Sequence, residues 1–473
     1  MKRNLFLIIT ALVAVGMSGQ ISLDSCRRMA LHNNKVLQAG KLKIESAEYL
    51  RKAAHAAYLP GVDLQGSYFY NQKKLELIGE DAKLPVMNFD PTTGSYQHAI
   101  VTTPDGPLIV NGTPVPQQVA LLPKSALTYN IHNVFAGALT ITQPIYMGGK
   151  IKAMNDMARY ATELARSQYD TQSDEVIYNV DVAYWQVVSL KAKQRLAESY
   201  VSLVESLNKD VQRMVDEGVA TKSNLLSVNV KLNEANVDLT RVNNGLTLSK
   251  MHLAQLCGMP VNGDFVLADE NRESVPVTLR ATNFNMADVY AKRNEIHSME
   301  LATKIFDSKA RAERAAMLPK LAAMAMYSVT NPNSFHGFEN KFGGAFSVGA
   351  TFQIPLWHWG GLSNKYKQAQ TEAKIKRLEL ADVKDKIELQ VNQAAFRYQE
   401  SLKTLEASRE NLKSADENLR MAQVAFREGV STTDEVMTAQ TAWLKANSEK
   451  IDAEIDVQLC DVYLSKVLGS MEY

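Results

Sequence analysis

Between residues 225 and 256, Leu225, Val228, Leu232, Ala235, Leu239, Val242, Leu246, Ser249, Leu253 and Leu256 recur at alternating spacings of three and four. That is a sustained heptad, the pattern of a coiled-coil seam. It returns as Val436, Ala439, Trp443, Ala446, Lys450, Ala453, Val457, Cys460, Leu464 and Val467, weakened by Lys450 within the stripe. Upstream of the first seam, residues 150–217 contain neither proline nor glycine. As a helix this stretch is a rod of about 100 Å. The predicted helices are 23–58, 150–217, 219–257, 285–317, 360–427 and 430–468. Residues 23–58 and 219–257 together span about 110 Å as helix, so two short helices match the reach of one long one in an antiparallel arrangement.

Four segments follow the other period. From Ala345 to Ile354, Phe346, Val348, Ala350, Phe352 and Ile354 fall on one face, and Ser347, Gly349, Thr351 and Gln353 on the other. Val62, Leu64, Gly66, Tyr68 and Tyr70 alternate with Asp63, Gln65, Ser67 and Phe69 in the same way. Phe135, Leu139 and Ile141 oppose Ala136, Ala138, Thr140 and Thr142, whereas 321–330 is apolar on both faces. The expected strands are about 61–72, 134–143, 320–331 and 345–354, each long enough to cross a bilayer at a tilt. Tyr146, Trp357 and Trp359 gather at one end of these strands and Tyr68, Tyr70, Phe335 and Phe338 at the other. Such aromatics favour membrane interfaces. Alternation alone also fits a soluble antiparallel sheet. Four strands cannot close a barrel, and an open edge in lipid leaves backbone groups unpaired. A membrane barrel is then shared between chains: two copies give eight strands and three give twelve.

The chain is a duplication. Glu217-Gly218-Val219-Ala220-Thr221 recurs as Glu428-Gly429-Val430-Ser431-Thr432, an offset of 211. Pro144 and Pro355, Val180 and Val391, Trp185 and Phe396, Leu253 and Leu464, and Gly258 and Gly469 match in the same register. Gly148-Gly149 matches Gly360-Gly361 with one inserted residue, and Leu59-Pro60 matches Leu318-Pro319 at an offset of 259. The first copy therefore holds about 48 extra residues, and 72–132 carries seven of the 14 prolines, the mark of a long irregular loop. The expected organisation is 20–258 as the first repeat, 259–284 as a linker and 285–473 as the second repeat.

Composition narrows the function classes. At 473 residues two or three ordinary domains would be expected. The formal charge is +1, or −1 without Lys2 and Arg3, which gives no electrostatic reason to bind nucleic acid. Residues 1–19 read as a secretory signal peptide: Lys2 and Arg3, an apolar run from Leu5 to Val15, then Gly16, Ser18 and Gly19. Cys26, Cys257 and Cys460 are too few for a disulfide scaffold and lack metal-ligand spacing. Dinucleotide, P-loop, serine-hydrolase and zinc-protease motifs are missing, so neither an enzyme nor a cofactor is expected. A secreted coiled-coil adaptor or scaffold is the rival reading; it leaves the strands and their aromatic ends unused.

Three further motifs resemble the TolC-like outer-membrane efflux protein family across essentially the whole chain after the leader. They are Leu23-Asp24-Ser25-Cys26-Arg27-Arg28-Met29-Ala30-Leu31-His32-Asn33-Asn34, Ala57-Tyr58-Leu59-Pro60, and Gln143-Pro144-Ile145-Tyr146-Met147-Gly148-Gly149, the last echoed by Ile354-Pro355-Leu356-Trp357-His358-Trp359-Gly360-Gly361. The resemblance implies a homotrimer with a 12-stranded outer-membrane β-barrel and a periplasmic α-helical tunnel, and a mixed equatorial region near 258–284 and the C-terminus. It also implies the exit duct of a tripartite efflux or type I secretion system, with a periplasmic adaptor and an inner-membrane transporter as partners. Gly218, Val219, Ala220 and Thr221, with Gly429, Val430, Ser431 and Thr432, take the place of the adaptor-docking hairpin tips. The family's periplasmic gate carboxylates fall at Asp434 and Glu435, with Thr438 where a further carboxylate is common.

Overall fold

The computed structural model describes residues 20–471 apart from 273, 275, 276, 278 and 281–283. The expected leader at 1–19 lies outside the described residues, as does part of the expected linker. The chain divides into two compact units.

One unit, Ala53–Ala153 with Arg311–Lys365, is built on a four-stranded antiparallel sheet. Its strands are β1 (Gly61–Tyr70), β2 (Asn133–Tyr146), β3 (Lys320–Asn331) and β4 (Gly343–Gln353), in that spatial order. The register resolves the ambiguity of 321–330. Leu64, Leu139, Tyr327 and Phe346 form one cross-strand row, and Val62, Ile141, Ala325 and Val348 form the next. The opposite face carries Asp63, Thr140, Met326 and Ser347, then Gln65, Ala138, Ser328 and Ala345. One face is thus large and apolar, and the other is small and mostly polar. Successive side chains of a strand point to opposite faces, so β3 simply joins each row in turn.

Residues 72–132, expected to be irregular, fold back on themselves. Leu75 pairs with Tyr129, and Ala82 to Pro85 pair with Leu122 to Val119, with three further hairpins between. Pro85, Pro107 and Pro114 sit in two-stranded ladders, where a missing N–H leaves no central pairing broken.

The other unit is helical. Its helices are α1 (Leu23–Asn33), α2 (Lys35–Ala56), α3 (Lys150–Asp216), α4 (Lys222–Cys257), α5 (Met286–Lys292), α6 (Asn294–Ala315), α7 (Gly361–Arg427) and α8 (Thr433–Val467). The helices expected over 23–58 and 285–317 are each broken, at Asn34 and Arg293, which stand 259 apart. The Asn34 side chain accepts from the Val36 N–H, starting a new helix. The buried Arg293 instead donates to the Val467 carbonyl and to Glu295. Both breaks serve one contact: a Cβ on Gly258 would lie 2.5 Å from Asn33 Cβ, and one on Gly469 3.0 Å from Lys292 Cβ. Each glycine also has positive φ, so it ends its repeat by closing tightly on the first helix.

The duplication extends into the cores. One cluster contains Val176, Val180, Ala183, Val187, Leu246 and Leu253; a second contains Ile387, Val391, Ala394, Tyr398, Val457 and Leu464, each 211 residues on. The buried tyrosine moves by one turn, from Tyr184 in the first copy to Tyr398 in the second. Conformation also corrects the alignment at the strand-to-helix junction. Gly148 and Gly149 have φ of 65° and 84°, Trp359 and Gly360 have 50° and 76°, and so the register of 211 holds with no insertion. Lys450, the flaw in the second seam, pairs with buried Glu454, which also meets Arg409.

Arg27 of α1 makes a bidentate contact with Asp181 of α3, at 2.8 and 2.6 Å. The Asp181 side chain is fully buried. Burial raises its carboxyl pKa and Arg27 opposes that rise. Arg27→Met should cost about 3 kcal/mol in urea unfolding, because it strands a buried charge. A folded pKa raised further makes that loss grow as pH rises and shrink as the carboxyl protonates. Adding Asp181→Asn should recover most of it.

Candidate functional site

The two hairpin tips are the same device made twice. At the first, Val219 N donates to Met214 O at 2.7 Å and Gly218 N to Val215 O at 3.0 Å. At the second, Val430 N donates to Ala425 O at 2.8 Å and Gly429 N to Phe426 O at 3.0 Å. These paired bonds, with φ of 78° at Gly218 and 75° at Gly429, are Schellman motifs that satisfy the last carbonyls of α3 and α7. The chain then re-enters helix through a threonine cap: Thr221 accepts from Asn224 N and Thr432 from Glu435 N, both at 3.3 Å. Ala220 and Ser431 fill the position between. Nothing lies within 4 Å of a Cβ built on Gly218 or Gly429, so space is open at both tips. Val219 and Val430 are 70% and 83% exposed, apolar side chains held outward at the ends of polar hairpins.

The tips differ in charge. Glu435 stands where the first repeat has Asn224. Its carboxylate accepts from the Thr432 N–H at 3.0 Å and from the Ser431 hydroxyl, completing a capping box. The Ser431 hydroxyl and the Thr432 backbone hold its pKa below the ordinary 4.5. The signature Thr-x-x-Glu for this cap stands in the sequence, where Glu435 fits a solvated helix-start carboxylate as well as a gate carboxylate. Its first duty in the structure is to start α8. Asp434 and Thr438 lie one turn apart, with the Thr438 hydroxyl donating to the Asp434 carbonyl at 2.8 Å. Both line a groove of about 640 Å³ between α4 and α8, together with Lys231, Glu234 and Lys445. Sequence reading missed these α4 partners; the Lys231–Glu234 pair at i,i+3, 3.3 Å apart, is the signal that was available.

Beneath the tips the hairpins pack together. Val204, Leu207, Val211 and Val228 share one core with Phe426 and Val436. Elsewhere α7 leaves apolar side chains uncovered: Leu378, Leu389 and Phe396 are exposed, although Trp185, the match of Phe396, is buried.

At the sheet, Tyr146 ends β2, and Trp357 and Trp359 follow β4. The two indoles meet edge to face, ring centres 5.8 Å apart, and are 73% and 88% exposed. Trp359 has a left-handed backbone, a genuine outlier for a bulky residue. At the other end Tyr68 packs on Phe135 at 4.8 Å, and Phe135 on Phe342 at 6.1 Å. Phe335 and Phe338, expected at that end, lie between β3 and β4.

Among the described residues no group of three or more histidine, cysteine or carboxylate side chains could hold a metal, and no helix is long and apolar enough to cross a membrane.

Comparison with known proteins agrees with this architecture. The chain is 21% identical over 340 residues to the outer membrane efflux protein BepC of Brucella suis biovar 1 (strain 1330), covering 70% of this chain and 72% of BepC. Its fold is shared with CusC, a solved transmembrane channel, at a TM-score of 0.74 and 16% identity over 95% of this chain and 92% of that one. It is shared with the outer membrane protein VceC of Vibrio cholerae at 0.71 and 14% over 94% and 96%. The family model described as "Outer membrane efflux protein" matches residues 116–259 and 287–470, a stretch in each repeat. The chain therefore belongs to the outer membrane efflux protein family.

Proposed function

We propose that three copies of this chain close a 12-stranded barrel in the outer membrane and form the exit duct of a tripartite efflux or secretion system. The observation that carries this is the sheet itself. It has four strands, an apolar outer face, and β1 and β4 each with one unpaired edge. In the antiparallel order β1–β2–β3–β4, the two edge strands run in opposite directions. The β4 edge of one copy can therefore pair antiparallel with the β1 edge of the next. Lipid supplies no partner for open edges, which makes closure obligatory. The smallest membrane barrels have eight strands, and family membership favours twelve. Tyr146, Trp357 and Trp359 then sit at one membrane interface. The uncovered Leu378, Leu389 and Phe396 on α7 suit packing between subunits in the helical tunnel. A water-soluble coiled-coil scaffold would leave the apolar sheet face facing water.

The periplasmic adaptor would dock on the exposed tips Gly218 to Thr221 and Gly429 to Thr432, and the adaptor joins the duct to an inner-membrane transporter. Asp434 and Glu435, in three copies, would focus negative potential at the periplasmic mouth.

Reconstituted protein should run as a heat-sensitive trimer and conduct ions across planar bilayers. A monodisperse, water-soluble, non-conducting particle would sink the reading.

Gly429→Glu should leave trimer yield unchanged and abolish export from cells. The left-handed backbone costs about 1–2 kcal/mol, which a trimer tolerates, and the side chain enters open space where the adaptor sits. Undiminished export by such a trimer refutes tip docking.

Asp434→Asn and Glu435→Gln should each lower cation selectivity in single-channel recordings without loss of the α8 cap, since glutamine still accepts from Thr432. Because the Glu435 pKa is depressed, its share of the selectivity is present above pH 4.5 and disappears only as pH falls through the lowered value. Unaltered selectivity in both variants removes these carboxylates from the gate.

A further inference from the structure

The first repeat contains a paired-thiol site that its own copy lacks. Cys26 on α1 and Cys257, the last residue of α4, are both fully buried in one core cluster. The Cys257 thiol donates to the Cys26 carbonyl at 3.6 Å, and each thiol perturbs the titration of the other. Around them the α1–α4 contact is tight: Asn33 Nδ2 donates to the Cys257 carbonyl at 3.2 Å, and the next residue, Gly258, is closed against Asn33. Packing alone does not require sulfur here. The position 211 residues after Cys257 is Leu468, which packs against the aliphatic core of the second repeat. Cys460, the third cysteine, has the Ser401 hydroxyl as its neighbour and no second thiol.

We propose that Cys26 and Cys257 form a disulfide in the exported protein, fastening the first helix to the end of the first repeat. The oxidising compartment rests on the outer-membrane reading above; the thiol geometry does not. The reaction is thiol–disulfide exchange with an exported protein disulfide. The Cys257 thiolate attacks one sulfur of that oxidant, breaking its S–S bond and releasing one of its thiolates. Cys26 then attacks Cys257 Sγ and displaces the second, so two protons and two electrons leave this chain and the oxidant departs as a dithiol. Exchange takes place while the chain is folding, before burial, and burial then shields the bond from reductants. The closed loop joins residues 231 apart, which restricts the unfolded chain strongly.

The test counts thiols in the full chain. Protein taken from the outer-membrane fraction without reductant is denatured in maleimide-PEG. One adduct is expected, at Cys460, and three after reduction; Cys26→Ala and Cys257→Ala should each give two without reduction. Three adducts on unreduced wild-type protein that sits in the outer membrane and conducts ions overturn the disulfide and leave the duct intact. If instead the protein never reaches the outer membrane, the export reading fails. Refolding of the purified chain with oxidised glutathione then decides the pair: one adduct upholds it and three overturn it.

Discussion

The constraint on which the structure turns is that backbone hydrogen bonds cannot end in hydrocarbon. A sheet of four strands has two unpaired edges, each a row of N–H and C=O groups. Water can satisfy them; lipid cannot. Because β1 and β4 run antiparallel, a copy of the same chain would supply the missing partner at each edge of the proposed barrel, and the apolar face made by Leu64, Leu139, Tyr327 and Phe346 would become continuous around the ring. Such a contact would be head to tail, so it must close or else polymerise, with closure set by strand tilt and stagger.

Much of this was legible in the sequence because two periods are hard to confuse. The clean alternation of 345–354 and the uninterrupted 150–217 each left one reasonable assignment. Residues 321–330 did not, since alanine and methionine fit either face, and only pairing with β2 and β4 fixed their direction. The breaks at Asn34 and Arg293 were hidden because neither residue is a strong helix breaker; each follows a residue that packs closely on Gly258 or Gly469. The ladders within 72–132 were masked by prolines, which signal turns locally and say nothing of pairing between distant segments. At the tips the glycine pattern revealed both motifs. Glu435 was ambiguous in a different way, since a capping carboxylate and a pore carboxylate read identically as one letter.

The two repeats also act as controls for each other. Matched positions that keep burial but change identity, such as Tyr184 with Ala395 and Val187 with Tyr398, show that core volume is kept while its location drifts by a turn. Positions that keep identity class but change exposure, such as Trp185 and Phe396, show where one copy is covered by its own chain and the other is not. Trp359 keeps the left-handed φ of Gly148 yet carries the largest side chain available, so the shared turn holds an indole in a strained conformation.

The helices α3 and α7 are 67 residues each, and the hairpins they open share a core near their ends. This equality acts as a ruler on the gene. Losing three or four codons from one long helix alone would withdraw one tip by about a helical turn and pull Val204 and Val211 out of step with Phe426 and Val436. Length changes in this chain are therefore expected to be inherited in pairs, one per repeat, while its surface residues remain free to diverge.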